Sequence, residues 1–295
     1  MMRWSTLGVL CVLVVSGCAA PASSPAPAGH ESAPASRPLP APSGQPAAGA
    51  RPEAPVGFGN AAAFRKWGLE PMAPAPAAPR DPLKISSVRD PWIKEIPTDE
   101  RIVFLTFDDG NEKDPRFIEM MRDLRIPFTM FLTDDAVKKD YGYFRELRDL
   151  GNSVENHTLT HTDLKSLDQA GQQREMCGAQ EKFAKEFGRA PRLFRPPFGS
   201  WNDDTLAAMK ACGLQAMVLW RADMGIEDLE YQRADRRLRP GQIILAHFRG
   251  PKDLKGRSLT DMTADLLRRI QEQGFTVARL EDYLAFDSTP PADGS

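Results

Sequence analysis

This sequence predicts an α/β fold, a parallel (β/α) barrel in a single domain, with a doubly wound open sheet as the alternative. Two patterns carry that reading. From Glu100 onward, apolar runs alternate with stretches of helical periodicity about seven times in roughly 190 residues. The runs are apolar throughout, as suits strands covered on both faces. A third pattern points to function: the unusual polar residues stand where apolar runs end, and parallel sheets build active sites at the C-terminal ends of their strands.

The chain has 295 residues and opens MMRWSTLGVLCVLVVSGCAA. Arg3, the short apolar run Leu7 to Val15 and the small residues after it predict a secretory signal over 1–17, too short for a spanning helix. Val15-Ser16-Gly17-Cys18 resembles a bacterial lipobox, which implies cleavage before Cys18 and lipidation of that cysteine. An ordinary signal cut near Ala19 or Ala20 is the alternative. The expected location is therefore extracytoplasmic, on a membrane surface through a lipid anchor, or secreted. Residues 18–98 read as a spacer. The stretch to about residue 57 is Ala, Pro, Ser and Gly and buries too little to order itself, and His30 within it is idle. Residues 58–98 read as a weakly ordered lead-in with room for one short helix in NAAAFRKWGLEP. The domain is expected over 99–286 and a disordered tail over 287–295.

Within the domain, RIVFLTF (101–107) is the first strand. Phe117, Met120, Met121 and Leu124 then mark a helix, PFTMFL (127–132) a second strand, and Phe144, Leu147 and Leu150 a helix closed by Gly151. NSVEN (152–156) is a short strand, 168–187 a long helix, RLF (192–194) a brief strand. Asn202 caps a helix that runs to Cys212. AMVLW (216–220) and QIILAH (242–247) are strands, Met262, Leu266 and Ile270 define the last helix, and FTVARL (275–280) closes a set of seven strands. The net charge of −2 and the lack of an aromatic-interleaved basic stripe argue against nucleic acid as a partner. In an exported chain Cys177 and Cys212 can form a disulfide or stay as two buried thiols.

The polar residues at run ends are Asp108 and Asp109, His157 and His161, Arg195, Asp223 and His247. Each has a bland reading. Asp108-Asp109-Gly110 is also a turn signal, His247 suits a hydrogen-bonded core histidine, Arg195 and Asp223 suit a surface, and the two histidines four apart suit coincidence. In a helical turn that spacing would set both imidazoles on one face. Read together they fit a metal site: two histidines and a carboxylate supply three protein ligands, the adjacent aspartate a base, and an imidazole an acid.

Five segments, TFDDG (106–110), HTLTH (157–161), RPPFG (195–199), WRAD (220–223) and ILAH (244–247), together resemble the polysaccharide deacetylases of the NodB-homology type, carbohydrate esterase family 4, over about residues 99–286. The resemblance implies an irregular (β/α) barrel. It implies one divalent ion, zinc or else cobalt or another, held by Asp109, His157 and His161. It makes Asp108 the general base, kept ionised and oriented by Arg195, and His247 the general acid, its basicity raised by a pairing with Asp223. The backbone N–H of Phe198 would help to hold the oxyanion, and Leu245 would line the acetyl pocket. One departure stands out: many members follow the fourth segment with a second aspartate and a tryptophan, where this chain has Ile226 and Glu227. The expected partner is a polysaccharide, peptidoglycan or a chitin-like polymer, losing N-acetyl groups. An O-deacetylase of acetyl-xylan type and an inactive tethered glycan-binding protein are the alternatives.

Overall fold

Ile102–Asp109, the first strand that the sequence marks, lies inside a ten-stranded sheet. The structure, a computed structural model, describes residues 58–85 and 92–286. All of them belong to one compact unit. The expected signal segment, Cys18, the spacer to residue 57 and the tail 287–295 lie outside the described residues. In chain order the elements are α1 (Ala61–Lys66), β1 (Leu83–Lys84), β2 (Trp92–Ile93), β3 (Ile102–Asp109), α2 (Pro115–Leu124), β4 (Thr129–Leu132), α3 (Asp134–Val137), α4 (Tyr141–Asp149), β5 (Ser153–Asn156), α5 (Gln169–Phe187), β6 (Leu193–Phe194), α6 (Asp203–Ala211), β7 (Ala216–Val218), β8 (Ala222–Met224), β9 (Leu229–Tyr231), β10 (Gln242–His247), α7 (Leu259–Glu272), β11 (Thr276–Ala278) and β12 (Leu284–Ala285).

The seven expected strands are β3, β4, β5, β6, β7, β10 and β11, and they pair in parallel. The order across the sheet is β2-β7-β6-β5-β4-β3-β10-β8-β9. β11 pairs with β3 over Ile102–Phe104 only, whereas β4 pairs with its upper half, Thr106–Asp109. That split makes the curled sheet irregular. Alternation along β3 sends Val103, Leu105 and Phe107 outward to a core shared with Phe117, Leu124 and Phe144 of the helices. Ile102 and Phe104 point inward to a second cluster with Phe131, Val218, Ile243 and Tyr283. Helix ends follow their chemistry: Asp114 caps α2 ahead of Pro115, and Asn202 and Ser258 form capping boxes on α6 and α7.

Two expectations need correction here. Residues 58–98 are not a loose lead-in where they are described. Phe64 of α1 is 0 % exposed and joins the outer core with Leu69 and Met72. β2 pairs with β7, and the chain after it reaches β10: Ile243 N–H donates to Lys94 O at 3.2 Å and Ile96 N–H to Gly241 O at 2.8 Å. This segment thus spans the gap between β7 and β10. The reason is composition: Ile85, Ile93 and Ile96 give it apolar side chains to bury, which the spacer lacks. Second, Asp223 does not stand at the end of the AMVLW strand. It sits within β8, which pairs with β10 in parallel and with β9 as an antiparallel hairpin. Cys177 of α5 and Cys212, just past α6, are joined as a disulfide with Cα atoms 5.0 Å apart.

Candidate functional site

Strand parity assembles the site. Inward-facing Phe104 is followed two and four residues on by Thr106 and Asp108, so both face the interior at the C-terminal end of β3. In register beside them on β10 are Leu245 and His247, and Asp223 of β8 lies opposite Leu245. Alternation would send Asp109 outward, but its φ of 73° turns it back toward the opening. Gly110 follows at φ 98°, where a Cβ would come 2.4 Å from Val137 Cγ1, so only glycine fits.

His157 and His161 converge without a helix. The segment between them is an irregular loop with Thr158 at φ 73° and His161 at φ 60°, and the rings meet edge to face with centroids 4.9 Å apart. Positive-φ loop geometry, and not helical spacing, brings the two rings together. Asn156, fully buried, turns the chain by accepting from Thr158 N–H at 2.8 Å. His157 Nδ1 lies 2.6 Å from Arg195 O. A carbonyl only accepts, so Nδ1 carries the hydrogen and Nε2 is left as a donor atom for a metal.

The donor set fits a divalent ion. Asp109 Oδ1 lies 3.5 Å from His157 Nε2 and 3.3 Å from His161 Nε2. Ligands bonded at about 2.0–2.1 Å around a tetrahedral ion stand about 3.3–3.4 Å apart. Asp109 Oδ1 is buried and has no hydrogen-bond partner among the described residues. A buried carboxylate oxygen facing these ring nitrogens calls for positive charge, and the electrostatics agree. Burial would push His157 down, but Asp108 and Asp109 outweigh it and raise its pKa. Burial likewise opposes charge on Asp109, yet the two imidazoles hold its carboxyl well below the usual range. Asp109, His157 and His161 form the single cluster of metal-ligand type found among the described residues.

Beside them Asp108, 2 % exposed, is held by Arg195, the largest fully buried side chain. Arg195 Nη1 donates to Asp108 Oδ1 at 2.6 Å and to Thr106 Oγ1 at 2.8 Å, and Nε donates to Val218 O at 2.8 Å. Its guanidinium lies over the rings of Phe131 at 4.3 Å and Trp220 at 5.5 Å. Asp108 Oδ2 is left 3.7 Å from His157 Nε2, facing the metal cluster. Leu245 is 3 % exposed on the inner face, and Phe198 lies at the rim, 68 % exposed, its ring edge-on to His161 at 4.7 Å.

The expected pairing of Asp223 with His247 is not made. No ion pair joins them among the described residues, and Asp223 Oδ1 and His247 Nδ1 are each buried without a hydrogen-bond partner. Register explains this, because Asp223 lies across from Leu245, two residues short of His247. Burial pushes His247 down to about 4 and Asp223 up to about 6, the reverse of what a shared ion pair does. Sequence reasoning also missed Thr106 as the link between Arg195 and β10, whose Ile244 O takes the Thr106 hydroxyl at 2.8 Å. A groove of about 1000 Å³, lined by Arg65, Met72, Arg101 and Phe275 among others, lies at the opposite strand ends and contains none of these groups.

Comparison with known proteins gives the geometry a context. The sequence model of the polysaccharide deacetylase family matches residues 95–217. An uncharacterized protein of Streptomyces coelicolor is 44 % identical over 66 % of this chain and 77 % of its own length. A chitooligosaccharide deacetylase of a Bradyrhizobium species is 32 % identical over 60 % of this chain and 88 % of its own. Among solved structures, a peptidoglycan N-acetylglucosamine deacetylase superposes with a TM-score of 0.57 at 20 % identity, covering 66 % of this chain and 94 % of the other.

Proposed function

This chain belongs to the polysaccharide deacetylase family, the NodB-type domain of carbohydrate esterase family 4, and from that premise we propose that it is a metal-dependent hydrolase removing N-acetyl groups from an amino-sugar polymer of the cell envelope. The observation that carries the proposal is the convergence of Asp109, His157 and His161 on a buried, unpartnered carboxylate oxygen, with Asp108 beside it. Those three residues would hold one divalent ion, zinc by donor type, which supplies Lewis acidity for the acetyl carbonyl and for water.

The remaining roles belong to the chain. Arg195 occupies one oxygen of Asp108 and leaves the other, Oδ2, toward the metal cluster, where it takes the proton of the attacking water. Leu245, under the site, offers an apolar wall to the acetyl methyl. The rim position of Phe198 supports its N–H as a donor to the oxyanion. His247 protonates the leaving amine. Burial pushes its pKa down to about 4, so to act as the acid it first takes up a proton, from solvent or from the protonated Asp108, and passes it to the amine.

That low basicity supports O-deacetylation as a second reading. An alkoxide leaves with less help from an acid than an amide nitrogen does. Export and a lipid anchor at Cys18 would set the protein at the envelope, which favours peptidoglycan over a free chitin oligomer. The test is acetate release by the purified protein from N-acetylglucosamine oligomers, peptidoglycan and acetylated xylan. Release from an N-acetylated glycan supports the main reading, release from xylan alone the second. Binding without release from any of them would leave a glycan-binding protein.

A further inference from the structure

The two metal-site histidines are secured differently. His157 is pinned through Nδ1 by the Arg195 carbonyl. His161, whose side chain is 31 % exposed, has no such bond among the described residues and depends on its loop. That loop has no ladder partner, so its backbone groups must be satisfied elsewhere. Its carbonyls turn one way: Asp134 N–H donates to Thr158 O at 3.2 Å and Asp135 N–H to Leu159 O at 2.9 Å. Two of its N–H groups turn the other way, to one side chain, while His161 N–H donates to Thr158 Oγ1 at 3.1 Å. Glu175 of α5 accepts from Leu159 N–H at 3.1 Å, Thr160 N–H at 2.9 Å and the Thr160 hydroxyl at 3.0 Å.

The same turn of α5 holds the loop at two further points. Met176 O accepts from Asn156 Nδ2 at 2.9 Å, and Asn156 Oδ1 takes Thr158 N–H. Gly178 presents bare backbone to Leu159, where a Cβ would come 2.6 Å from Leu159 Cδ1. Cys177, between them, ties the turn to the end of α6.

We infer that the turn Glu175–Gly178 is a cradle that sets the position of His161, and that Glu175 is a positioning residue for metal binding. The inference rests on the metal reading of the site. A carboxylate that takes three donors from one loop fixes that loop's register, and groups that orient a ligand alter metal affinity by roughly 10–100-fold when removed. A structural brace alone would change stability and leave affinity as it was.

The test is the dissociation constant of cobalt(II) for the metal-stripped full chain, by competition with a chromogenic chelator, beside the melting temperature of the metal-free form. Glu175→Ala should weaken binding about 10-fold or more, beyond any change in melting temperature. Glu175→Gln, which keeps acceptor oxygen but loses charge, should fall between; it keeps the test open if the alanine variant does not fold. Glu181→Ala, exposed on the same helix, should bind as the wild type does. A Glu175→Ala protein that melts lower but binds cobalt with wild-type affinity overturns the cradle. His161→Ala separates the two levels. If it too binds with wild-type affinity, the metal reading falls and the cradle with it; if it loses binding while Glu175→Ala does not, the cradle alone falls.

Discussion

Asp108 and Arg195 form the buried ion pair on which the proposed chemistry rests at the scale of single residues. A guanidinium 0 % exposed is offset here by a carboxylate, a hydroxyl and a carbonyl that accept from Nη1 and Nε, while Nη2 has no partner among the described residues. Asp108→Asn should keep metal binding, because Asp108 lies outside the three-ligand cluster, and should lose turnover by about 100-fold or more. Metal content and acetate release measured on one preparation check both halves. Asp223 makes a separate prediction about pH. Its folded pKa, about 6, lies above the ordinary 3.8, so the folded state holds that proton more tightly than the unfolded chain. The stability it contributes is full below about 4 and is lost as pH rises through about 6. Asp223→Asn should therefore stabilise the fold at pH 8, on the order of 2 kcal/mol, and give no gain at pH 4, as read by urea unfolding at both values. A larger gain at pH 4 would contradict it. At this scale the sequence made legible the residues that the fold gathers at one strand end: Asp108, Asp109, His157, His161, Arg195. It did not reveal relations set by register, such as Asp223 falling short of His247, or by the fold, such as Thr106 under Arg195.

Elements explain the rest of the site's rigidity. The long apolar runs were legible because burial on both faces writes itself into composition. β8 and β9 were not, because three-residue strands such as Ala222–Met224 carry no periodicity and owe their state to β10 beside them. His157 and His161 were legible as a pair, but the loop that joins them was not, since spacing alone does not report positive φ. The disulfide follows the same logic, with cysteines 35 residues apart that only the α5–α6 contact brings together. Closing a loop of that size stabilises by about 3–4 kcal/mol in the chain-entropy description. Cys177→Ser with Cys212→Ser should lower the unfolding free energy by about that amount, and reductant should do the same to the wild type. An unfolding midpoint indifferent to reductant would contradict the bond.

The whole molecule depends on a segment that composition had assigned to the spacer. β2 and the residues after it span the interval between β7 and β10, and Phe64 fills the outer core beside α2. A chain beginning at residue 99 should therefore fail to unfold cooperatively in urea, whereas one beginning at residue 58 should do so. Phe64→Ala within the longer chain should cost about 3–5 kcal/mol. The sheet brings residues from β3, β5, β6 and β10 to one end, and the site exists only once that end is closed. The most direct measurement is acetate release from an N-acetylated glycan before chelation, after removal of metal by chelator, and after zinc is restored. Release that disappears with the metal and returns with zinc is the expected result. Release that survives complete loss of metal would contradict the Asp109–His157–His161 site as the seat of the reaction.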